Sequence, residues 1–254
     1  MNLKIIKYGG SLLDDAAQQA QLLDQIAAGA GAGLPLVLVH GGGKEISRQM
    51  EKAGLTPKFV DGRRFTDEAT MNVVEKALGE LNAHIVRELA RRGVRARGLS
   101  GRMNHVVEAT AQVELGRVGL PTQVDGAQLS ALLKLDGLPV FYSVAEDTAH
   151  QPLNVNADDF ALELAVACRA DDLIFLTDTG GILDAEGKRL DLLTPSAVDR
   201  LIEKGTIHGG MKVKAESCLD ALRRGVGRVR IGKMVRFSGG ALTLEAGTGF
   251  VQKN

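Results

Sequence analysis

Glycine runs that follow apolar stretches are where this sequence could do chemistry. Three stand out: KYGGS from Lys7, HGGGKE over 40–45 and LTDTGGIL over 176–183. Glycine lets backbone N–H groups approach an anion, and the start of a helix adds a favourable dipole, so phosphate is the natural guest of such a loop. One loop of this kind is more often just a tight turn between strand and helix. Three at the same sheet edge shift the balance, because ligands of open α/β sheets bind beyond the carboxyl ends of the strands.

Cations accompany these loops. Lys7 ends an apolar strand and could reach a phosphate as a flexible point charge, or snorkel as strand-end lysines commonly do. In GGMKVK, residues 209–214, a helix beginning at Met211 would put Lys212 and Lys214 in its first turn, where the macrodipole disfavours cations by roughly 0.3–1 kcal/mol each. A nearby anion would offset that cost, although the alternation with valine allows the two lysines to diverge. NVNADD, residues 154–159, offers Asn156 as an N-cap, with Asp158 and Asp159 in the first turn. On a functional reading Asn154 would meet a polar group of the substrate, and Asp158 would hold one or both lysines. In GRRFTDE, residues 62–68, Arg63 and Arg64 precede a helix capped by Thr66 or Asp67, and one of them could make a bidentate contact to a carboxylate.

Other chemistries lack their residues. GGGKE is not a Walker loop, since Leu38 stands at its first glycine position and Glu45 follows the lysine, and no G-x-G-x-x-G opens the first unit. GLSGR around Ser100 is not a nucleophile elbow, and H-E-x-x-H is absent. Among the five histidines only His40 leaves a strand, where a packed, hydrogen-bonded role is expected. Cys168 and Cys218 are fifty positions apart and suggest neither a disulfide framework nor a zinc site, so no metal-ligating protein residues are expected.

The positioning elements follow from periodicity. Apolar runs LKIIKY, LPLVLVH, VRARGL, LPVFYSV, DLIFLTD and RVRIG alternate with helical patterns over 14–28, 43–53, 67–92, 158–168, 195–204 and 211–224. That is the rhythm of βαβ units and predicts an α/β fold with a mainly parallel sheet between two helical layers. Residues 99–123 read as a hairpin-like excursion. No linker divides the 254 residues, and the one candidate boundary lies near 145–153, which predicts two lobes, 1–150 and 151–254, sharing a continuous sheet. Acidic and basic residues balance at 31 each and aromatics are only 4%, which disfavours nucleic acid as a partner and points to a small molecule. With no signal-like or membrane-length apolar run, the expected compartment is the cytoplasm and no membrane partner is expected.

Seven segments in this order, KYGG, VHGGG, VDGRRFTD, VGLPTQVD, NVNAD, LTDTGGIL and GGMKVK, resemble the amino acid kinase family, and the resemblance spans about residues 3–214. It implies a three-layer αβα sandwich whose N-terminal lobe binds substrate and whose C-terminal lobe binds ATP with Mg2+. Within the family the motifs look most like those of kinases that transfer the ATP γ-phosphoryl group to the side-chain carboxylate of N-acetyl-L-glutamate in arginine biosynthesis. Carried over residue by residue, the resemblance makes Lys7 and Lys214 the pair that stabilises the transferring group, with Asp158 organising them and Gly10, Gly41 and Gly42 supplying backbone donors. Arg64 and Asn154, with Asn156 beside them, would bind the substrate. The nucleotide would lie against Asp178, Thr179, Gly180, Gly181, Ile182 and Leu183 and against Thr206, Ile207 and His208. A carboxylate is already a nucleophile at neutral pH, so this transfer needs positioning and charge neutralisation rather than a general base, which suits the absent catalytic His or Ser.

The sequence departs from the family at two places. Arg63 stands where an apolar residue is usual, and RMNH, residues 102–105, replaces a glycine-rich turn in the hairpin that covers the substrate's acyl end. Relatives inhibited by arginine tend to carry an extra N-terminal helix and a characteristic C-terminal segment. Here the expectation is a homodimer without arginine feedback. Two alternatives are a kinase for N-acetyl- or carrier-linked α-aminoadipate in lysine biosynthesis and a catalytically silent sensor of the same fold.

Overall fold

Valine, leucine and isoleucine runs that are apolar on both faces belong between two helical layers, and the computed structural model, which describes residues 2–252, places them there. Eight strands form the main sheet in the order Leu192–Leu193, Gly247–Phe250, Arg228–Gly232, Asp172–Leu176, Lys4–Tyr8, Leu36–His40, Leu138–Tyr142 and Ala96–Ser100. The last six of these run parallel to one another, while Gly247–Phe250 is antiparallel to Arg228–Gly232 and parallel to Leu192–Leu193. Strands from both halves of the chain thus share one sheet. The 145–153 stretch is no linker, because Val144–Glu146 and Pro152–Val155 pair with each other across it.

Side-chain alternation sorts the core. Ile5 packs with Phe175, Phe160 and Leu219 on the face covered by the helices Ala157–Cys168 and Gly209–Arg223. Ile6 and Tyr8 pack with Leu22, Ile26, Ile85 and Leu89 on the face covered by Ala16–Gly31 and Glu68–Arg91. The helix Gly43–Lys52 joins that second layer through Ile46 and Met50, against Val74 and Leu78.

The helix ends follow the expected capping chemistry, with bounds within three residues of the pattern. Asn156 accepts a hydrogen bond from the Asp158 amide at 2.8 Å, and of the two residues expected to cap the long helix it is Asp67 that accepts from the Thr70 amide, also at 2.8 Å. The excursion over 99–123 is a hairpin, Val107–Ala111 with Val118–Val124, but it does not stand alone. Together with Val144–Glu146 and Pro152–Val155 it closes a small four-stranded ring beside the main sheet. Several features escaped the periodicity reading, among them the edge strands Leu192–Leu193 and Gly247–Phe250, the helix Gly126–Lys134, and the hairpin Val235–Ser238 with Ala241–Leu244.

Candidate functional site

Parallel strands bring their carboxyl ends to one edge. Lys7 leaves its strand there, paired with Val39 on one side and Phe175 on the other. Its side chain is only 14% exposed, so it does not snorkel, and its Nζ lies 2.7 Å from Asp158 Oδ1. Asp158 occupies the first turn of Ala157–Cys168, and its other carboxylate oxygen accepts a hydrogen bond from Lys214 Nζ. Lys214 also sits over the Phe175 ring, 5.1 Å from its centroid. One carboxylate therefore holds two ammonium groups from opposite sides. Burial pushes the Asp158 carboxyl toward the neutral form, but the two ammonium charges more than offset this and hold it well below the ordinary carboxylate range.

Lys212 and Lys214 diverge, as the valine between them allowed. Lys212 is largely in solvent, 3.9 Å from Glu216 one turn on, while Lys214 turns inward. The helix begins at Gly209, two residues earlier than the pattern suggested, and Gly209 and Gly210 line a cleft with Lys214.

Two cavities meet at this triad. The smaller, about 260 Å³, lies on the Lys7 side and is lined by Gly10, Gly41, Gly42, Arg64, Asn154 and Asn156 among others. The larger, about 820 Å³, lies on the Lys214 side and is walled by Thr177, Asp178, Thr179, Gly209, Gly210 and Met211. Asn156, Asp158, Gly62 and Arg63 face both. Gly62 and Asp61, both at positive φ, form the turn between the short strands Phe59–Val60 and Arg63–Arg64, which carries the two arginines to the junction. A four-residue span whose turn needs left-handed backbone at two positions is why VDGRR reads as it does.

Arg64 is buried, yet no carboxylate pairs with it among the described residues. Its guanidinium donates to the Gly43 carbonyl at 2.8 Å and Ser47 Oγ at 2.9 Å, and it lies over the Phe59 ring. Burial lowers its pKa without removing its charge. Arg64 lines the smaller cavity, so its unpaired positive charge is placed to attract an anion bound there. Asn154 lines the same cavity and donates to Thr66 Oγ1 at 3.2 Å. Arg63 behaves differently: it is fixed by Gln112 Oε1 and Asp159 Oδ2, each at 3.2 Å, and bridges the ring hairpin to the helix of Asp158.

His40 takes the packed role expected of it. It is fully buried, its Nδ1 donates to the Gly41 carbonyl at 2.8 Å, and Asn82 donates to its Nε2 at 3.0 Å. Burial lowers its pKa to about 4, so it remains neutral and orients the glycine loop rather than moving protons. The Gly41 N–H is committed to the Tyr8 carbonyl at 3.2 Å, which leaves the Gly10 and Gly42 amides as the donor candidates of the three glycines.

The expected nucleotide residues split. Asp178 and Thr179 line the larger cavity, whereas Gly180, Gly181, Ile182 and Leu183, and likewise Thr206, Ile207 and His208, are not among the residues lining either cavity. Ile182 and Ile207 are core side chains, and the Ile182 amide is bound by Thr248 Oγ1 at 2.9 Å. Thr177, Gly209, Gly210, Met211 and Val213 line the cleft in their place. Gly209 and Gly210 belong to GGMKVK and were visible as glycines; Thr177 follows the strand Asp172–Leu176 within LTDTGGIL, a stretch singled out without Thr177 itself being named.

The sequence model of the amino acid kinase family matches residues 2–233. Among curated proteins, the chain is similar to the acetylglutamate kinase of Chloroflexus aurantiacus (43% identical over 235 residues, 90% of this chain and 91% of the relative) and to that of Methylobacterium nodulans (40% over 242 residues, 89% and 80%). Among solved structures, smu.665 from Streptococcus mutans superposes with a TM-score of 0.85 at 31% identity, over 99% of both chains. An N-acetylglutamate synthase from Neisseria gonorrhoeae, complexed with coenzyme A and N-acetyl-glutamate, shares the fold at 22% identity and a TM-score of 0.79, over 100% of this chain and 60% of the synthase.

Proposed function

Since the chain belongs to the amino acid kinase family, we propose that it transfers the γ-phosphoryl group of ATP to the side-chain carboxylate of N-acetyl-L-glutamate, giving the acyl phosphate and ADP in arginine biosynthesis. The observation that carries this reading is the single carboxylate, Asp158, holding Lys7 toward one cavity and Lys214 toward the other. Two anions that repel each other need cations between them, and a loose phosphoryl-transfer transition state needs its spread charge neutralised. Acetylglutamate fits the smaller cavity, its α-carboxylate against Arg64 and Asn154. The nucleotide fits the larger, with its phosphates toward Gly209, Gly210 and Lys214.

Within this reading residues 1–150 carry most of the acceptor site and residues 151–254 the nucleotide site. Both Asp158 oxygens are occupied by lysines and Asp159 by Arg63. The carboxylates at the junction thus suit a nucleotide that brings Mg2+ on its own phosphates and waters. The ion would screen phosphate charge, while the two lysines act on the group in transit. Lysine ammoniums, rather than guanidinium forks, can follow an oxygen as it moves between partners. The protein acts as a homodimer in this proposal, which sedimentation would test; none of the helices among the described residues is long and apolar enough to cross a membrane.

Incubation with ATP, Mg2+ and hydroxylamine tests the reading. Acetylglutamate should yield one hydroxamate per ADP, with N-acetyl-α-aminoadipate turned over far more slowly. ADP formed only with the longer acid would assign the chain to the lysine branch. ATP binding without hydroxamate from either acid would favour a sensor, a role the intact Lys7, Asp158 and Lys214 argue against.

A further inference from the structure

Away from the phosphoryl site, the fold gathers two histidines and a glutamate that no step above uses. Glu146 ends the strand Val144–Glu146 and is buried, with its side chain 6% exposed. His105 Nδ1 and His150 Nδ1 both approach its Oε1, the second at 3.1 Å, and the two rings lie 4.4 Å apart. Among the described residues this is the one group of three or more His, Cys, Asp or Glu side chains whose donor atoms lie close enough to share an ion, all within 4.8 Å of one another. We propose that His105, Glu146 and His150 form a binding site for a zinc-like divalent transition metal, clipping the 102–105 turn to the 147–150 turn.

Donor chemistry selects the ion. Two imidazole nitrogens and one carboxylate oxygen suit Zn2+ and its borderline neighbours, and not Mg2+ or Ca2+, which take oxygen. Ligand atoms about 2.0–2.2 Å from a tetrahedral zinc stand roughly 3.3 Å apart. The Glu146–His150 separation already meets this. His105 is too close to Glu146 and must swing outward, which its exposure allows. On binding, the ion takes the place of the Nδ1 protons that face Glu146, each ring keeps one proton on Nε2, and solvent fills the open fourth position.

The surroundings support an ion. Arg102 Nε lies 3.7 Å from the other Glu146 oxygen, and Arg102 Nη1 also pairs with Glu75, so a carboxylate–arginine–carboxylate chain backs the ligand and leaves the cluster net negative. Both histidines are placed at backbone cost. Asn104, His105 and His150 have φ of 53°, 54° and 60°, the left-handed region that few non-glycine residues adopt. The second turn is fixed by Asp147 Oδ1, which accepts from the Ala149 and Gln151 amides at 2.9 Å. Neither cysteine belongs to the cluster. Glu146 pairs with Pro152, and Val144 with Asn154, so the site lies two residues along the strand pair from a wall of the acceptor cavity.

Equilibrium dialysis of the full chain against Zn2+, with neither ATP nor Mg2+ present, tests the proposal. It should show one saturable site, weakened at least tenfold in His150→Ala and in Glu146→Gln and unchanged in His84→Ala, with Co2+ giving the visible bands of a tetrahedral or five-coordinate site. Zn2+ should also raise the Tm of the parent chain but not of His150→Ala, whose exposed position leaves the fold intact. Absence of saturable binding, or binding that survives the His105→Ala/His150→Ala double change, would overturn it.

Discussion

Two aspartates in this molecule each hold two cations, at opposite ends of the sheet. Asp158 binds Lys7 and Lys214 beyond the carboxyl ends of the strands, where two cavities meet. Asp172, fully buried at the start of its strand, binds Arg228 at 2.8 Å and Arg230 at 2.9 Å across the neighbouring strand. The charge arithmetic is the same and the consequence differs. Asp172 and its two guanidiniums form a fixed fork that closes on itself, away from both cavities about Asp158, and it ties adjacent strands. Asp158 carries point-charge ammoniums that line cavities with their remaining donors. A buried charge triad alone is thus no mark of a functional site; its end of the sheet, its lysines and its cavities are.

The largest expected effect tests that distinction. Lys214→Ala should lower kcat roughly 10²–10³-fold with little change in KM, because the ammonium acts on the group in transit. A rise in KM alone would make Lys214 a ground-state binder. Arg64 sharpens the contrast, being a buried cation with no acid of its own among the described residues. Arg64→Ala should raise KM for the acyl amino acid by about 10–100-fold, the worth of a hydrogen-bonded charge, while kcat changes far less. Asp172→Asn should reverse the pattern, with kcat unchanged but urea unfolding showing about 2 kcal/mol lost, moderated by the exposure of Arg228. A kcat defect there would erase the distinction between the two ends.

The smallest effect is one of pH. The Asp158 carboxyl is depressed in the folded state, so its contribution to stability is present above its unfolded value of about 4 and is lost as pH falls below that toward the folded value. Between about pH 4 and pH 2 the parent chain should lose stability more steeply than Asp158→Asn, as denaturation at several pH values would show. Equal slopes would mean that the two lysines do not hold the carboxylate charged.

Much of this was legible in the sequence because the signals were local. Apolar runs such as LVLVH mark strands buried on both faces, Asn156 reads as a cap, and the glycine pairs read as strand exits. That Asp158 would hold a lysine was a functional reading of NVNADD, but the choice of Lys7 and Lys214 as its pair came from motif resemblance, since the three lie in separate elements that only the parallel sheet brings together. The nucleotide wall was less legible. Ile182 and Ile207 lie within three residues of cleft residues in sequence, yet their side chains are packed in the core. The proximity of His105 to Glu146 and His150 was not legible, because His105 lies 41 residues from Glu146 and reaches it only through the closed ring of short strands.

The most direct test of the central claim is transfer of labelled γ-phosphate from ATP to N-acetyl-L-glutamate, followed in a single turnover with the parent chain and with Lys7→Ala and Lys214→Ala. The account predicts labelled acyl phosphate from the parent and transfer slowed by roughly 10²-fold or more in each variant, with ATP still bound. Label transferred at the parental rate by either variant, or no label on acetylglutamate from the parent, would contradict it.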